Sequence, residues 1–240
     1  MKTITSLFIT AFLLISISTN AQSKKVKGNG KITTEIRTVS NFDKIAVSGS
    51  FDVILVKGKE GTINIEASEN LMESIETEVK DGLLKIKFKK GWSIRTSKKI
   101  NITISYEDIE GVSLSGSGSV VSSDEIIAND LEISVSGSGN MKLHVFTGNL
   151  KSSISGSGNI KLSGETTNFT CGISGSGNLN ASELKSDIST AKVSGSGNVK
   201  VYAIKEIHAK SSGSGNIIYS GNPDIVKATS SGSGSVQKRN

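Results

Sequence analysis

The sequence predicts an all-β protein, a parallel β-helix (β-solenoid) with coils of about 19 residues. A short motif of serine and glycine recurs along the second half of the chain. Aliphatic residues alternate with polar ones on both sides of each copy, as the two faces of a β-strand require. The first half alternates in the same way but holds only one imperfect copy of the motif, so we expect irregular N-terminal coils there.

The first 21 residues are predicted to be a secretory signal peptide. Lys2 gives a basic start, the apolar run 7–15 follows, and residues 19–21 suit a cleavage site. The run is shorter than the ~20 residues that a membrane-spanning helix needs. We therefore expect an exported chain that begins at Gln22 and has no integral membrane segment after cleavage. Its predicted location is the periplasm, the outer-membrane surface or the extracellular space.

Residues 22–110 form the predicted irregular N-terminal β-helical part. Short alternating runs such as 45–55, 84–88 and 100–104 predict strands. Asp81-Gly82 predicts a tight turn between two of them. Residues 68–75 predict one short helical turn or an irregular loop. No linker composition separates this part from residues 111–240, the predicted regular solenoid.

The regular part contains seven copies of the motif, five of which read Ser-Gly-Ser-Gly-Asn. The copies begin at Ser115, Ser136, Ser155, Ser174, Ser194, Ser212 and Ser231. In the third copy the even-numbered positions hold the aliphatic residues Leu150, Ile154 and Ile160 as well as Gly156 and Gly158. In a β-strand all of these positions lie on the same face. A flexible linker has no reason to keep aliphatic residues in phase with its glycines. We therefore expect both glycines to face inward with the aliphatic side chains, and the serines and asparagine to face outward.

The outward residues of successive motifs should stack into columns, because the coils of a solenoid lie directly on one another. This outer ladder comprises Ser138, Asn140, Ser157, Asn159, Ser176, Asn178, Ser196, Asn198, Ser214 and Asn216. With Lys142, Lys161 and Lys200 beside it, the array of hydroxyls and amides could bind a glycan. The alternative is that the ladder only solvates and rigidifies the wall.

A basic cluster around the single tryptophan is the second candidate binding site. Its members are Trp92, Lys89, Lys90, Arg95 and Lys98. A tryptophan among cations could stack on a sugar or meet anionic lipopolysaccharide. The alternative is that these cations only line the solvent-exposed faces of strands beside a loop and bind nothing.

Residues for metal or covalent chemistry are few. The chain has two histidines, His144 and His208, far apart and predicted to face outward, and one cysteine, Cys171, predicted to face inward. The acidic residues recur at no fixed offset from the motif, and no serine is singled out by a nearby histidine. We expect no catalytic residue, no metal and no cofactor. The net charge of +6 is spread along the chain, and we expect no nucleic-acid partner.

Three stretches of the sequence resemble a known family. They are residues 37–53, with Val47-Ser48-Gly49-Ser50-Phe51 at their end; residues 68–86, with Ser68-Glu69-Asn70-Leu71 and Asp81-Gly82-Leu83-Leu84; and the Ser-Gly-Ser-Gly repeats. In this order they resemble the bacterial family of auto-transporter adhesin head GIN domains, common in Bacteroidota. The resemblance covers roughly residues 38–236. It implies a β-helical fold and an envelope or surface location, and it implies no activity and no catalytic residues.

These observations predict a non-catalytic, exported cell-envelope β-helix with a structural or adhesive role. Its expected partner is a glycan or another envelope polymer, and exposed coil ends make a homo-oligomer a possible assembly. The alternative function is a polysaccharide-degrading enzyme on a β-helix scaffold. A pair of acidic residues facing a groove on one wall would favour that alternative.

Overall fold

The computed structural model describes residues 23–239, so the predicted signal peptide lies outside the described residues. The described chain winds into a parallel β-solenoid of about seven turns, which confirms the predicted fold class. Its regular coils repeat about every 19 residues. Its core is apolar, because each coil places its apolar side chains on those of the next.

The N-terminal region holds nine strands and one short 3₁₀ helix, Glu69–Ser74, between β5 and β6. The strands are β1 Lys24–Lys27, β2 Ile32–Thr38, β3 Lys44–Gly49, β4 Asp52–Lys57, β5 Thr62–Ser68, β6 Ile75–Lys80, β7 Leu83–Phe88, β8 Trp92–Arg95 and β9 Asn101–Tyr106. β3 and β4 form a coil, and β7 and β9 pair with them in parallel on one side. β6 pairs with β7, and β5 with β9 and β2, in antiparallel fashion. Antiparallel strands therefore close this end of the solenoid.

Two local signals in this region are confirmed. Asp81 and Gly82, which join β6 to β7, have φ values of 50° and 72°. Positive φ at both residues is the geometry of the type I′ turn that suits a hairpin. The segment 68–75 holds the 3₁₀ helix, whose Leu71 and Met72 are buried against the core.

The remaining strands build the regular stack. They are β10 Gly111–Gly116, β11 Ser119–Gly137, β12 Asn140–Gly156, β13 Asn159–Gly175, β14 Asn178–Gly195, β15 Asn198–Gly213, β16 Ile217–Ser220, β17 Ile225–Ser231 and β18 Val236–Lys238. β10 pairs with both β3 and β11, and β11 pairs with both β4 and β12, so hydrogen bonds run from one region into the other. From β11 to β15 each coil is one long bent strand, because the parallel ladder continues around most bends.

Aliphatic side chains fill the coils as their parity predicts. Leu150, Ile154 and Ile160 are at most 2% exposed. In the register between β12 and β13, Leu150 lies beside Phe169 and Ile154 beside Ile173. Burying such side chains supplies roughly 1.5–3 kcal/mol each relative to exposure. The core is thus a set of axial columns in which each residue packs on its counterpart one coil away.

The two glycines of the motif differ, and the expectation that both face inward is wrong for the first. Gly156 is only half-buried and has a φ of +119° at the corner where β12 ends. A Cβ there would lie 2.6 Å from the carbonyl oxygen of Gly137 in the preceding coil. Gly158 is buried, and its Cβ would lie 2.6 Å from both Gly139 O and the side chain of Val135. The first glycine therefore turns the chain through a left-handed conformation, and the second allows close stacking.

Candidate functional site

The asparagines that end the motifs form one continuous column on the outer wall. In the strand register Asn140, Asn159, Asn178, Asn198 and Asn216 are successive neighbours. β12, β13, β14 and β15 each begin at this asparagine, and Asn216 directly precedes β16. The glycine corner before each asparagine therefore fixes where its amide projects from the wall. Five amides at ~4.8 Å per coil make a row roughly 19 Å long.

The amides of this column are hydrogen-bonded to one another in one direction. Asn159 Nδ2 donates to Asn140 Oδ1 at 2.9 Å, and Asn178 and Asn198 each donate to the preceding Oδ1 at 3.1 Å. Asn216 continues the chain with a 3.2 Å bond to Asn198. An amide has two N–H donors and two acceptor lone pairs. Each member inside the stack therefore keeps donor capacity that can point to solvent or to a ligand.

The column extends beyond the asparagines at both ends. Ser235 Oγ donates to Asn216 Oδ1 at 2.8 Å. At the other end Ser119 lies beside both Asn140 and Asp52, and its hydroxyl donates to Asp52 Oδ1 at 2.5 Å. Lys99 Nζ lies 2.8 Å from Asp52 Oδ2. Burial alone would raise the pKa of Asp52, but the hydrogen bonds from Lys99 and Ser119 outweigh it and the pKa is lowered.

A shallow groove runs along the asparagine column on the side of the lysines. It consists of two depressions of about 310 and 500 Å³ that share Asn178 and Asn180. Lys142 and Lys161 line the first, and Lys200 lines the second. Lys161 is paired with Glu183 at 2.8 Å. We call this feature the amide groove: the asparagines 140, 159, 178, 198 and 216 with the lysines 142, 161 and 200.

The serines of the ladder lie at the exposed corner next to this groove. Their backbone N–H groups bond to the preceding coil, as in Ser157 N to Gly137 O at 2.8 Å. Within the described residues, their hydroxyls make no side-chain hydrogen bond to one another. The exposed serines are Ser138, Ser157, Ser176, Ser196 and Ser214. The structure thus joins the asparagines into a hydrogen-bonded stack and leaves the serines as separate hydroxyls.

A second amide stack occupies a different wall and was missed by the sequence analysis. Asn149 Nδ2 donates to Asp130 Oδ1 at 2.8 Å, and Asn168 Nδ2 donates to Asn149 Oδ1 at 2.9 Å. The sequence could have predicted this stack, because Asp130, Asn149 and Asn168 recur at the spacing of one coil, although they lie outside the motif. They line a groove of about 560 Å³.

Acidic residues also line this second groove. Glu132 is 2.6 Å from Lys151, and Glu110 is 3.9 Å from Lys44. Asp130 accepts a 2.6 Å hydrogen bond from Asn129 besides the bond from Asn149. The sequence analysis found no recurring acids, whereas stacking brings Glu110, Asp130 and Glu132 of two successive coils into one groove.

The predicted basic cluster is only partly assembled around its tryptophan. Lys89 Nζ lies 5.5 Å from the centre of the Trp92 ring, and Lys90, Arg95 and Lys98 are exposed. The nearest cation is Lys24 of β1, whose Nζ lies 3.8 Å from the ring centre. The sequence analysis missed Lys24 because parallel pairing of β1 with β8 joins residues that are far apart in sequence.

Other titratable groups offer little for chemistry. Cys171 is fully buried, and burial raises the pKa of its thiol to about 12. No group of three or more potential metal ligands occurs among residues 23–239. In the same part of the chain, no helix has the length and apolar character needed to cross a membrane.

Known proteins give these features a context. A family model described as "Putative auto-transporter adhesin, head GIN domain" matches residues 41–223. Among solved structures, a protein from Bacteroides fragilis titled a putative adhesin is 25% identical, with a TM-score of 0.84 over 89% of this chain and 100% of that one. A protein from Parabacteroides merdae, also titled a putative adhesin, is 25% identical, with a TM-score of 0.73 over 91% and 100% of the two chains. A protein from Parabacteroides distasonis, titled a putative lipid binding protein, is 28% identical, with a TM-score of 0.75 over 90% and 100%. Among curated proteins, none matches the chain.

Proposed function

The chain belongs to the family of auto-transporter adhesin head GIN domains, and from that premise we propose that it is a non-catalytic adhesive protein of the cell envelope. Its amide groove holds a linear glycan or a similar surface polymer. The observation that carries this proposal is the hydrogen-bonded asparagine column, which offers one amide per coil over five coils. A polymer whose units repeat can meet such a row with the same contact many times.

The amides suit a ligand rich in hydroxyl groups. Each offers a donor and an acceptor side by side, and a sugar hydroxyl can accept from one amide and donate to another. The hydrogen bonds within the column hold the amides in place before a ligand arrives, which lowers the ordering cost of binding. Lys142 and Lys200 add positive charge along the edge, so a polymer with some acidic sugars is favoured. Individual contacts are weak, and affinity depends on several coils engaging one chain.

Binding to a glycan array tests this proposal, with one double variant in the amide groove and a matched double variant in the second amide stack. Asn159→Ala with Asn178→Ala removes two amides from the middle of the amide groove. Asn149→Ala with Asn168→Ala removes the same groups from the other wall and serves as the control. Two lost hydrogen bonds of ~1 kcal/mol each should weaken binding by at least about 10-fold in the first variant only. Equal weakening in both variants, or none in either, would reject the amide groove as the site.

A polysaccharide-degrading enzyme is the second candidate, and the carboxylates of the second groove favour it. Glu110, Asp130 and Glu132 line that groove together, as a pair of glycosidase carboxylates would. Against it, Glu132 and Asp130 are engaged by Lys151 and by two asparagines. A turnover assay on any polysaccharide found in the array decides the point. Product formation that disappears in Asp130→Asn and Glu132→Gln would establish the enzyme and overturn the non-catalytic proposal.

A further inference from the structure

β1 and β8 form a separate two-stranded parallel ribbon at the N-terminal end of the solenoid. Val26 and Ile94 are neighbours in its register and pack partly buried against the core. Side chains alternate along a strand. Lys25 and Lys27 of β1, with Arg95 of β8, therefore face away from the core, and all three are exposed.

Like charges are direct neighbours in this ribbon. Lys27 is the register partner of Arg95, a placement that destabilises a sheet unless a counter-charge is present. Among residues 23–239 no carboxylate forms an ion pair with either cation, whereas Lys31, Lys89 and Lys99 nearby are all paired with acids. The exposed face of the ribbon is thus an uncompensated cationic surface, and an external anion would remove its repulsion.

The tryptophan ring beside this surface is already occupied. Lys24 Nζ lies 3.8 Å from the centre of the Trp92 ring and Lys89 Nζ lies 5.5 Å from it. A sugar stacking on the ring would have to compete with the ammonium group of Lys24, which is held there by a cation–π interaction. The geometry therefore favours a ligand that meets the cations over one that stacks on the ring.

We propose that the ribbon of β1 and β8 docks the protein on an anionic phospholipid bilayer. Lys25, Lys27 and Arg95 belong to the two strands, and the exposed Lys90 and Lys98 belong to the loops that flank β8. These cations therefore spread over an area and do not line a groove. Neither the amide groove nor the second groove includes a residue of β1 or β8. A spread of cations matches a planar anionic surface, where each lysine or arginine adds to the attraction. A half-buried tryptophan at the edge suits the headgroup region, where such rings concentrate.

Vesicle sedimentation tests the proposal with the protein that begins at Gln22. The ribbon variant carries Lys25→Gln, Lys27→Gln and Arg95→Gln. The control variant carries Lys142→Gln, Lys161→Gln and Lys200→Gln, an equal loss of charge at the amide groove. Wild-type protein should bind vesicles of phosphatidylcholine with phosphatidylglycerol and not vesicles of phosphatidylcholine alone. The ribbon variant should bind at least about 10-fold more weakly and the control should change little. Equal weakening in the two variants, or no wild-type binding, overturns the proposal.

Trp92 supplies a second measurement that needs no variant, because it is the only tryptophan in the chain. Brominated phosphatidylglycerol should quench its fluorescence, since bromine quenches a ring that it approaches closely. Unchanged fluorescence in vesicle-bound protein would place the contact elsewhere and overturn the proposal. A soluble phosphorylated polysaccharide that displaces the protein from vesicles at lower phosphate concentration than the lipid itself would also overturn the choice of a bilayer. The array on the amide groove gives an independent result, so either proposal can fail alone.

Discussion

The regular stack, β10–β18, and the N-terminal end of the same solenoid reach close packing in different ways. In the stack each coil meets a copy of itself, and the backbones approach so closely at the corner that a Cβ on Gly156 or Gly158 would strike the preceding coil. At the N-terminal end the imperfect motif has Phe51 where the stack has its second glycine. The Phe51 ring is fully buried and lies 4.5 Å from the Phe88 ring.

This difference shows what the motif is for. A glycine is required where the neighbour beneath is another coil with the same corner. After β7 the chain leaves the corner as a longer loop that carries β8, so no matching corner lies beneath Phe51 and an aromatic ring fills the space. Repetition therefore constrains the backbone of the stack, whereas side-chain packing closes its end.

Phe51 gives the largest expected effect at the N-terminal end. Phe51→Ala should lower the free energy of unfolding by about 3–5 kcal/mol, because it leaves a cavity beside Phe88 in the closed end. Phe146→Ala in β12 is the control, since that ring is 51% exposed and should change stability by no more than ~0.5 kcal/mol. Urea unfolding measures both. Similar losses in the two variants would contradict the packing of Phe51 described here.

Gly156 tests the stack in the same way. Gly156→Ala should lower the free energy of unfolding by about 2–4 kcal/mol, through strain at positive φ and contact with the backbone of Gly137. Gly172→Ala lies in the next coil, where the added Cβ meets nothing within 4 Å. It should be neutral or slightly stabilising, because it reduces the freedom of the unfolded chain. If both alanines cost the same, close stacking at the corner is not what selects glycine.

Asp52 connects the two regions and should produce a smaller, pH-dependent effect. Its lowered pKa means that the folded state binds a proton less readily than the unfolded chain. The stability that this adds is present above the unfolded value of about 3.8 and is lost as the pH falls through the folded pKa. Asp52→Asn should cost about 1 kcal/mol near neutral pH and remove this part of the acid-side decline. Urea midpoints measured at neutral and acidic pH check the prediction.

The exposed turn residue Asp81 provides the matched control for that experiment. Asp81→Asn makes the same charge change at a position where asparagine tolerates the positive φ. It should leave the stability at neutral pH nearly unchanged, because the bonds from Lys99 and Ser119 belong to Asp52 and stay intact. An equal change of pH dependence in both variants would show that net charge, and not the bonds to Lys99 and Ser119, is responsible.

The two regions carry one natural probe each, and we expect their unfolding midpoints to coincide. Trp92 reports on the N-terminal end by fluorescence, and Cys171 reports on the stack by thiol labelling, since a buried thiol with a pKa of about 12 reacts only after opening. The hydrogen bonds from β10 and β11 into both regions predict one cooperative unit. Separate midpoints in urea would show that the closed end and the stack unfold independently.

Much of the stack was predictable because its sequence motif and its alternation of aliphatic and polar residues recur in every coil. Parity alone assigned Ile154 and Cys171 to the interior and the asparagines to the wall, and the structure agrees. The asparagine stack followed from the repeat, while its counterpart at 130, 149 and 168 lay outside the motif and was overlooked. The antiparallel pairs at the N-terminal end were not predicted, because strands such as β2 and β5 share no repeat and meet only after the chain has turned back. The parallel pairing of β1 with β8 was missed because these strands are far apart in sequence.

The amino-acid sequence by itself determined that the alternating aliphatic residues face in, that the motif asparagines face out and that the coils repeat, because strand alternation and repeat length are local properties of the chain. Only the tertiary structure decided that the first glycine is a left-handed corner, that three acids share a groove, and that Lys24 covers Trp92. Those features depend on which coil lies beneath which, and on contacts between residues far apart in sequence. A single residue pattern cannot specify such neighbours, since they exist only once the backbone has been stacked.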